Sequence, residues 1–170
     1  QWFLIARDAY NGVELWRENI GGFLKYIRNP DYTYCADEKS LYYREESRQI
    51  SRDSMTGKKL MTYETKIPPE FALVNGSVLV LCSKSTLDAF DKSSGKLLWS
   101  QPISIYPAAL NGVLYMVKDD GIKAITLETG KEVWMAKIPG FDIKKDNNLF
   151  CKDNNVYLSM KTPYKPDHSI

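Results

Sequence analysis

Ala89-Phe-Asp-Lys-Ser-Ser-Gly95-Lys-Leu-Leu-Trp99 is the stretch that decides the fold. Strand-forming residues flank a polar turn closed by glycine, and Asp91 stands where its carboxylate can bond the backbone two residues on. A hairpin loop of roughly three to five residues wants one residue at positive φ, which glycine supplies with no Cβ to clash. Alone, the string is a hairpin signal. Three relatives make it a repeat: Ala6-Arg-Asp-Ala-Tyr-Asn-Gly12-Val-Glu-Leu-Trp16, Ser51-Arg-Asp-Ser-Met-Thr-Gly57-Lys-Lys-Leu-Met61 and Ala124-Ile-Thr-Leu-Glu-Thr-Gly130-Lys-Glu-Val-Trp134. Each has a small residue first, glycine seventh, an aliphatic residue tenth, and Trp or Met eleventh. The glycines lie 45, 38 and 35 residues apart.

Between these hairpins lies a second kind. Phe71-Ala-Leu-Val-Asn75-Gly76-Ser-Val-Leu-Val-Leu-Cys82 and Ala108-Ala-Leu-Asn111-Gly112-Val-Leu-Tyr-Met-Val117 carry Asn-Gly between apolar runs, the strongest short-range hairpin signal. Tyr34 to Tyr43 and Leu149 to Leu158 hold the corresponding places with looser turns. Each period therefore contains four short strands. The one helix-like run, Ile20 to Arg28, opens on Gly21-Gly22 and ends near Pro30, and reads as a linker between repeats. Ile138 to Ile143 reads as another. Pro68, Pro69, Pro102, Pro107 and Pro139 fall between units, where a missing backbone donor does no harm.

Four-stranded units of this period predict an all-β fold, a β-propeller of four-stranded antiparallel blades. The expected division is a half blade at 1–20, blades at 32–66, 70–104 and 107–138, and a half blade at 148–162. Three full blades are thus flanked by two complementary halves. They are either a segment of a larger propeller or a four-blade ring closed by pairing of the halves.

Composition narrows the function classes. The 170 residues are 44% apolar and 26% charged, the balance of a globular domain. Lys and Arg exceed Asp and Glu by only 23 to 21, and they are scattered, so a nucleic-acid surface is not expected. The longest apolar runs fall far short of a membrane-spanning helix. Cys35, Cys82 and Cys151 are too far apart for any CxxC spacing, and each sits in an apolar strand, as a small buried hydrophobe does. The start at Gln1-Trp2-Phe3, without Met or a leader, suggests a mature chain or an excised piece.

The repeated Ala-x-Asp-x-x-Thr-Gly-x-x-x-Trp pattern resembles the tryptophan-docking motif of quinoprotein-like propellers, the pyrroloquinoline-quinone repeat family. The resemblance runs from end to end. It implies that Trp16, Trp99 and Trp134 pack between neighbouring blades. Each would lie against the small residue (Ala6, Ser51, Ala89 or Ala124) and the turn glycine (Gly12, Gly57, Gly95 or Gly130) of an adjacent motif. In the second repeat, Ser51 replaces Ala and Met61 replaces Trp, so weaker docking is expected there. The resemblance also implies an extracytoplasmic setting, periplasmic or associated with the outer membrane. It makes a protein partner, or further blades of the same propeller, the expected neighbour.

Catalytic members of that family carry a vicinal Cys-Cys pair and bind Ca²⁺ with acidic and amide side chains. This sequence has no adjacent cysteines. Asp119-Asp120 and Asp146-Asn147-Asn148 offer oxygens, but both lie in polar loops where turn chemistry is the simpler account. His168, the single histidine, sits near the C-terminus. Glu45-Glu46 and Asp119-Asp120 are adjacent pairs that an extended chain points to opposite faces. Tyr42-Tyr43 and Trp2-Phe3 suit half-buried sheet aromatics better than a ligand platform. No catalytic, metal-ligating or cofactor-binding residue is therefore assigned, and no cofactor is expected. The leading expectation is a non-catalytic propeller domain acting as a binding or scaffolding surface. The alternatives are a section of a quinone-dependent oxidoreductase, or an accessory propeller fused to another enzyme.

Overall fold

A computed structural model describes residues 2–21, 33–139 and 147–160. These form sixteen strands and no α-helix. Strands β1 (Trp2–Arg7) and β2 (Glu14–Gly21) make a two-stranded sheet. The first four-stranded sheet holds β3 (Cys35–Ala36), β4 (Ser40–Glu45), β5 (Arg48–Asp53) and β6 (Lys59–Glu64). The second holds β7 (Phe71–Asn75), β8 (Val78–Cys82), β9 (Thr86–Asp91) and β10 (Leu97–Pro102). The third holds β11 (Ala108–Leu110), β12 (Val113–Lys118), β13 (Gly121–Thr126) and β14 (Glu132–Lys137). A final pair joins β15 (Asn147–Lys152) to β16 (Asn155–Met160). Every pairing is antiparallel between chain neighbours, so each sheet is a meander.

The first strands of successive sheets, β3, β7, β11 and β15, lie side by side, as inner blade strands do around a propeller axis. Among the described residues the terminal hairpins stay two separate two-stranded sheets, so the ring is open in this structure. Of the run read as a linker, Ile20 and Gly21 extend β2; the rest of it, and most of the Ile138 to Ile143 connection, lies outside the described residues.

The core sits in the slots between sheets rather than within any one of them. Ile20, Tyr43 and Ile50, with Leu4 against them, fill the slot between the first hairpin and the first full blade. Tyr42, Tyr63, Ala72, Leu79, Leu81 and Phe90 fill the next. Val78, Val80, Cys82, Leu87, Ala89, Leu114, Met116, Ile125 and Leu127 fill the third. Side chains alternate across a strand. Leu79 and Leu81 of β8 therefore serve one slot, and Val78, Val80 and Cys82 the other. That double burial is why Val78-Leu-Val-Leu-Cys82 is an unbroken apolar run.

Turn chemistry explains the hairpins. The β11–β12 loop is Asn111-Gly112, both at positive φ (50° and 77°), as a type I′ turn requires. The β7–β8 loop is offset by one residue: Asn75 pairs with Val78, and the loop is Gly76-Ser77 with only the glycine at positive φ. Asp153 and Asn154 (φ 49° and 61°) turn β15 into β16. Asn and Asp tolerate this region because their short side chains bond locally.

Candidate functional site

The eleven-residue motif forms the outer hairpin of each blade. Its first and eleventh residues face each other across that hairpin: Ala6 with Trp16, Ser51 with Met61, Ala89 with Trp99, Ala124 with Trp134. Directly beside each pair the register shifts by one, and the tenth residue (Leu15, Leu60, Leu98 or Val133) is the extra one in the bulge, exposed to solvent. A bulge bends its strand and re-aims the following side chain. The aliphatic residue at position ten thus marks the bulge.

The turn itself is built the same way four times. Gly12, Gly57, Gly95 and Gly130 sit at φ 75°, 70°, 70° and 66°. Their N–H groups donate to the carbonyls of Asp8, Asp53, Asp91 and Thr126 at 2.8–2.9 Å. In the first three, the aspartate Oδ1 accepts backbone N–H groups two and three residues on. Asp91 also accepts both hydroxyls of Ser93 and Ser94 at 2.7 Å, and these bonds hold its carboxyl down at about 2. Hydrogen bonds from Thr56 lower Asp53 likewise.

Each eleventh residue reaches the turn of the following motif. A methyl carbon placed on Gly57 would come within 2.7 Å of the Trp16 indole, and one on Gly130 within 2.8 Å of the Trp99 indole. The indole N–H groups donate to the carbonyl three residues before each glycine: Trp16 Nε1 to Ser54 at 2.9 Å, Trp99 Nε1 to Leu127 at 2.7 Å. Met61 lies over Gly95 in the same way, its sulfur 3.1 Å from a methyl placed there. Methionine has no N–H to give. The equivalent carbonyl, that of Lys92, instead accepts the hydroxyl of fully buried Tyr63 at 2.7 Å.

That substitution exposes a position the sequence reading missed, two residues after the aromatic. Tyr63 fills it in the second motif. In the first, Glu18 accepts from Arg52 of the next sheet at 2.8 Å, and in the third, Gln101 donates to the Gly130 carbonyl at 2.8 Å. Arg52 also donates to the Gly57 carbonyl at 2.7 Å and to the Tyr43 hydroxyl at 3.0 Å. The fourth motif has Ala136 there, which can reach nothing. The signal was available: Glu18, Tyr63 and Gln101 can all bond across a blade boundary, but their chemistries differ, so no sequence pattern repeats.

The two ends of the series differ from its middle. No described atom comes within 4 Å of a methyl placed on Gly12. Trp134 is 40% exposed, touched by Tyr115 at 5.9 Å between ring centres.

The remaining sequence candidates disperse. Tyr42 and Tyr43 are buried, on opposite faces of β4, in two different slots, so they form no platform. Phe3 is half-exposed under the Arg17 guanidinium, 5.6 Å from its centre. Asp119 sits at φ 51° in the β12–β13 turn, and Asp120 pairs with Lys137 at 3.0 Å, a hydrogen bond that lowers its carboxyl. Glu46 holds positive φ (55°) in the β4–β5 turn. Cys35, Cys82 and Cys151 are free thiols; burial pushes Cys35 up to about 12, with Asp37 adding to it, and raises Cys82 further. Asp146 and His168 lie outside the described residues. Among those described, no three His, Cys, Asp or Glu side chains gather closely enough to share a metal ion, and no helix is long and apolar enough to cross a membrane.

A solved structure shares this fold. The crystal structure of BamB from Moraxella catarrhalis superposes with a TM-score of 0.64 at 15% identity, over 93% of this chain and 52% of that one. BamB of Francisella tularensis is 45% identical over 49 residues, 27% of this chain and 11% of its own length. The quinoprotein ethanol dehydrogenase of Pseudomonas aeruginosa is 26% identical over 154 residues, 71% of this chain and 24% of the enzyme. The chain therefore spans about half of the solved BamB and less of the other two. The family described as outer membrane protein assembly factor BamB matches residues 4–159, and the chain, a run of quinoprotein-type propeller repeats, belongs to that family.

Proposed function

We propose that the chain is a non-catalytic propeller section offering a binding surface to other proteins on the periplasmic side of the outer membrane, in the assembly process for which its BamB relatives are named. The family match over residues 4–159 carries this reading. In it, Ala6, Gly12, Trp16, Ser51, Gly57, Met61, Ala89, Gly95, Trp99, Ala124, Gly130 and Trp134 hold blade to blade, and the work is done by the surfaces so positioned. Trp16 and Trp99 support that structural role, since both stack and hydrogen-bond across a blade boundary.

A second reading, a section of a quinone-dependent oxidoreductase, is favoured by the likeness to the ethanol dehydrogenase over 154 residues. The described carboxylates do not favour it, since Asp91, Asp119 and Asp120 are engaged in turns or ion pairs. Two measurements on the chain test the proposal. A fluorescently labelled outer-membrane β-barrel protein diluted from urea should give a saturable rise in anisotropy. Pyrroloquinoline quinone with Ca²⁺ and a primary alcohol should give no dye reduction. Quinone-dependent turnover, or no binding at any concentration, would overturn the proposal.

A further inference from the structure

Asparagine before glycine is the dipeptide in which a side-chain amide most easily meets the following backbone nitrogen, because glycine has no Cβ to hinder the approach. The chain has three such pairs, Asn11-Gly12, Asn75-Gly76 and Asn111-Gly112. The reaction is a substitution: the glycine nitrogen gives up its proton to solvent, bonds to Cγ, and expels the side-chain amide as ammonia, leaving a cyclic succinimide. Water then opens the ring at one carbonyl to give aspartate, or at the other to give isoaspartate, in which the backbone runs through Cγ. Water is the only other reactant.

The three pairs are alike in sequence, and the fold makes them differ. Gly12 N–H donates to the Asp8 carbonyl at 2.9 Å and Gly112 N–H to Asn75 Oδ1 at 3.2 Å, so in both pairs the attacking nitrogen is engaged. The Asn111 amide, which would have to leave, is held as well, donating to Asn154 Oδ1 at 3.0 Å. Gly76 stands first in the β7–β8 loop, exposed and at φ 59°, and its N–H has no hydrogen-bond partner among the described residues. The asparagine before it is the one that receives Gly112 N–H on Oδ1, the oxygen on which charge gathers when Cγ is attacked, and a donor aimed there stabilises that charge. Asn11 Oδ1 also accepts an N–H, from Val13 at 2.9 Å, but there the glycine nitrogen is not free.

We propose that Asn75-Gly76 is the chain's site of spontaneous deamidation and backbone isomerisation, and that the bond from Gly112 N–H to Asn75 Oδ1 sets this choice, activating Asn75 while sheltering Asn111. That bond joins two blades whose four strands are all described, and neither end of the chain takes part in it. Aspartate at 75 keeps an acceptor for Gly112. Isoaspartate instead adds a methylene to the backbone at the Asn75–Val78 pair that closes the hairpin, and a hairpin's register is fixed by its loop. Both neighbouring slots depend on that register, since β8 fills one with Leu79 and Leu81 and the other with Val78, Val80 and Cys82.

Peptide mapping by mass spectrometry after incubation in mildly alkaline buffer, with an isoaspartyl methyltransferase to mark isoaspartate, follows each pair separately. In the native chain Asn75 should react at least about fivefold faster than Asn11 or Asn111, the rate equivalent of a hydrogen bond that must otherwise break first. In urea the three rates should converge. Asn75→Ala frees Gly112 N–H and should raise the rate at Asn111 by about fivefold, whereas Asn75→Asp keeps the acceptor and should leave Asn111 slow. Asn11 is the internal control, since a variant that unfolds would speed Asn11 as well; the native map and Asn75→Asp then decide. Equal rates in the native chain, a preference for Asn11 or Asn111, a fast Asn111 in folded Asn75→Asp, or a slow one in folded Asn75→Ala would overturn the proposal.

Discussion

The second blade boundary offers the sharpest test of the docking rule, because its chemistry has been rearranged without changing its geometry. Trp16 and Trp99 stack on a turn glycine and donate to the carbonyl three residues earlier. At the middle boundary these tasks are split. Met61 stacks on Gly95, and Tyr63 caps the Lys92 carbonyl at 2.7 Å. Tyr63→Phe keeps the ring, which packs edge-on against Phe90 at 5.8 Å, and removes only the hydroxyl, which also meets the Ser51 side chain. The net loss of one partly buried hydrogen bond, with an acceptor left short, is about 1–2 kcal/mol.

Met61→Trp should do little alone. The carbonyl is already satisfied, and overpacking by the larger ring offsets the added stacking area. In the Tyr63→Phe background the new indole N–H inherits the vacated carbonyl, so the same change should recover about 1 kcal/mol. Urea denaturation of the four proteins in this cycle, followed by far-ultraviolet circular dichroism, measures the coupling. Additivity to within about 0.3 kcal/mol would show that Trp at position eleven and Tyr at position thirteen do not serve one acceptor, and the rule would fail at the boundary best placed to prove it.

Other expectations follow from the same geometry. Gly57→Ala and Gly12→Ala carry equal backbone strain, of about 1 kcal/mol, but only the first drives a methyl to 2.7 Å from an indole, so Gly57→Ala should lower the urea midpoint distinctly more. Trp99→Ala removes an indole packed on the third slot and its bond to Leu127, and should cost about 3 kcal/mol by the same denaturation, near the low end for a large aromatic because Trp99 is half-buried. Asp91 is held down to about 2 by the Ser93 and Ser94 hydroxyls, whereas an unfolded aspartate titrates near ~3.9. Its contribution is therefore full above about pH 4 and lost as pH falls toward 2, and Asp91→Asn should flatten the fall of melting temperature across that window. Ellman's reagent should react slowly at Cys35 and Cys82, whose burial suppresses the thiolate, faster at Cys151, and should count three thiols once the chain is unfolded.

What could be read from the sequence, and what could not, divides along a physical line. Strand formation and hairpin closure depend on neighbours in the chain, so Gly95, Asn111-Gly112 and the unbroken apolar run of β8 announce themselves. Contacts between blades depend on residues some thirty to forty positions apart and leave a trace only when every boundary uses the same chemistry. The turn glycines recur at all four motifs and stand out in the sequence, as do the tryptophans of the first, third and fourth. The thirteenth position does not: Glu18 answers Arg52, Tyr63 answers a backbone carbonyl, and Gln101 answers another. A backbone acceptor constrains no side chain in the partner segment, so Tyr63 and Gln101 have no complementary residue whose identity could betray them. The same reasoning explains why Met61, read as a weak point, is backed by a hydroxyl two residues on: the carbonyl to be satisfied is fixed by the fold, while the donor is free to come from any residue whose reach matches. A boundary in this fold is thus specified by an acceptor and a glycine seat.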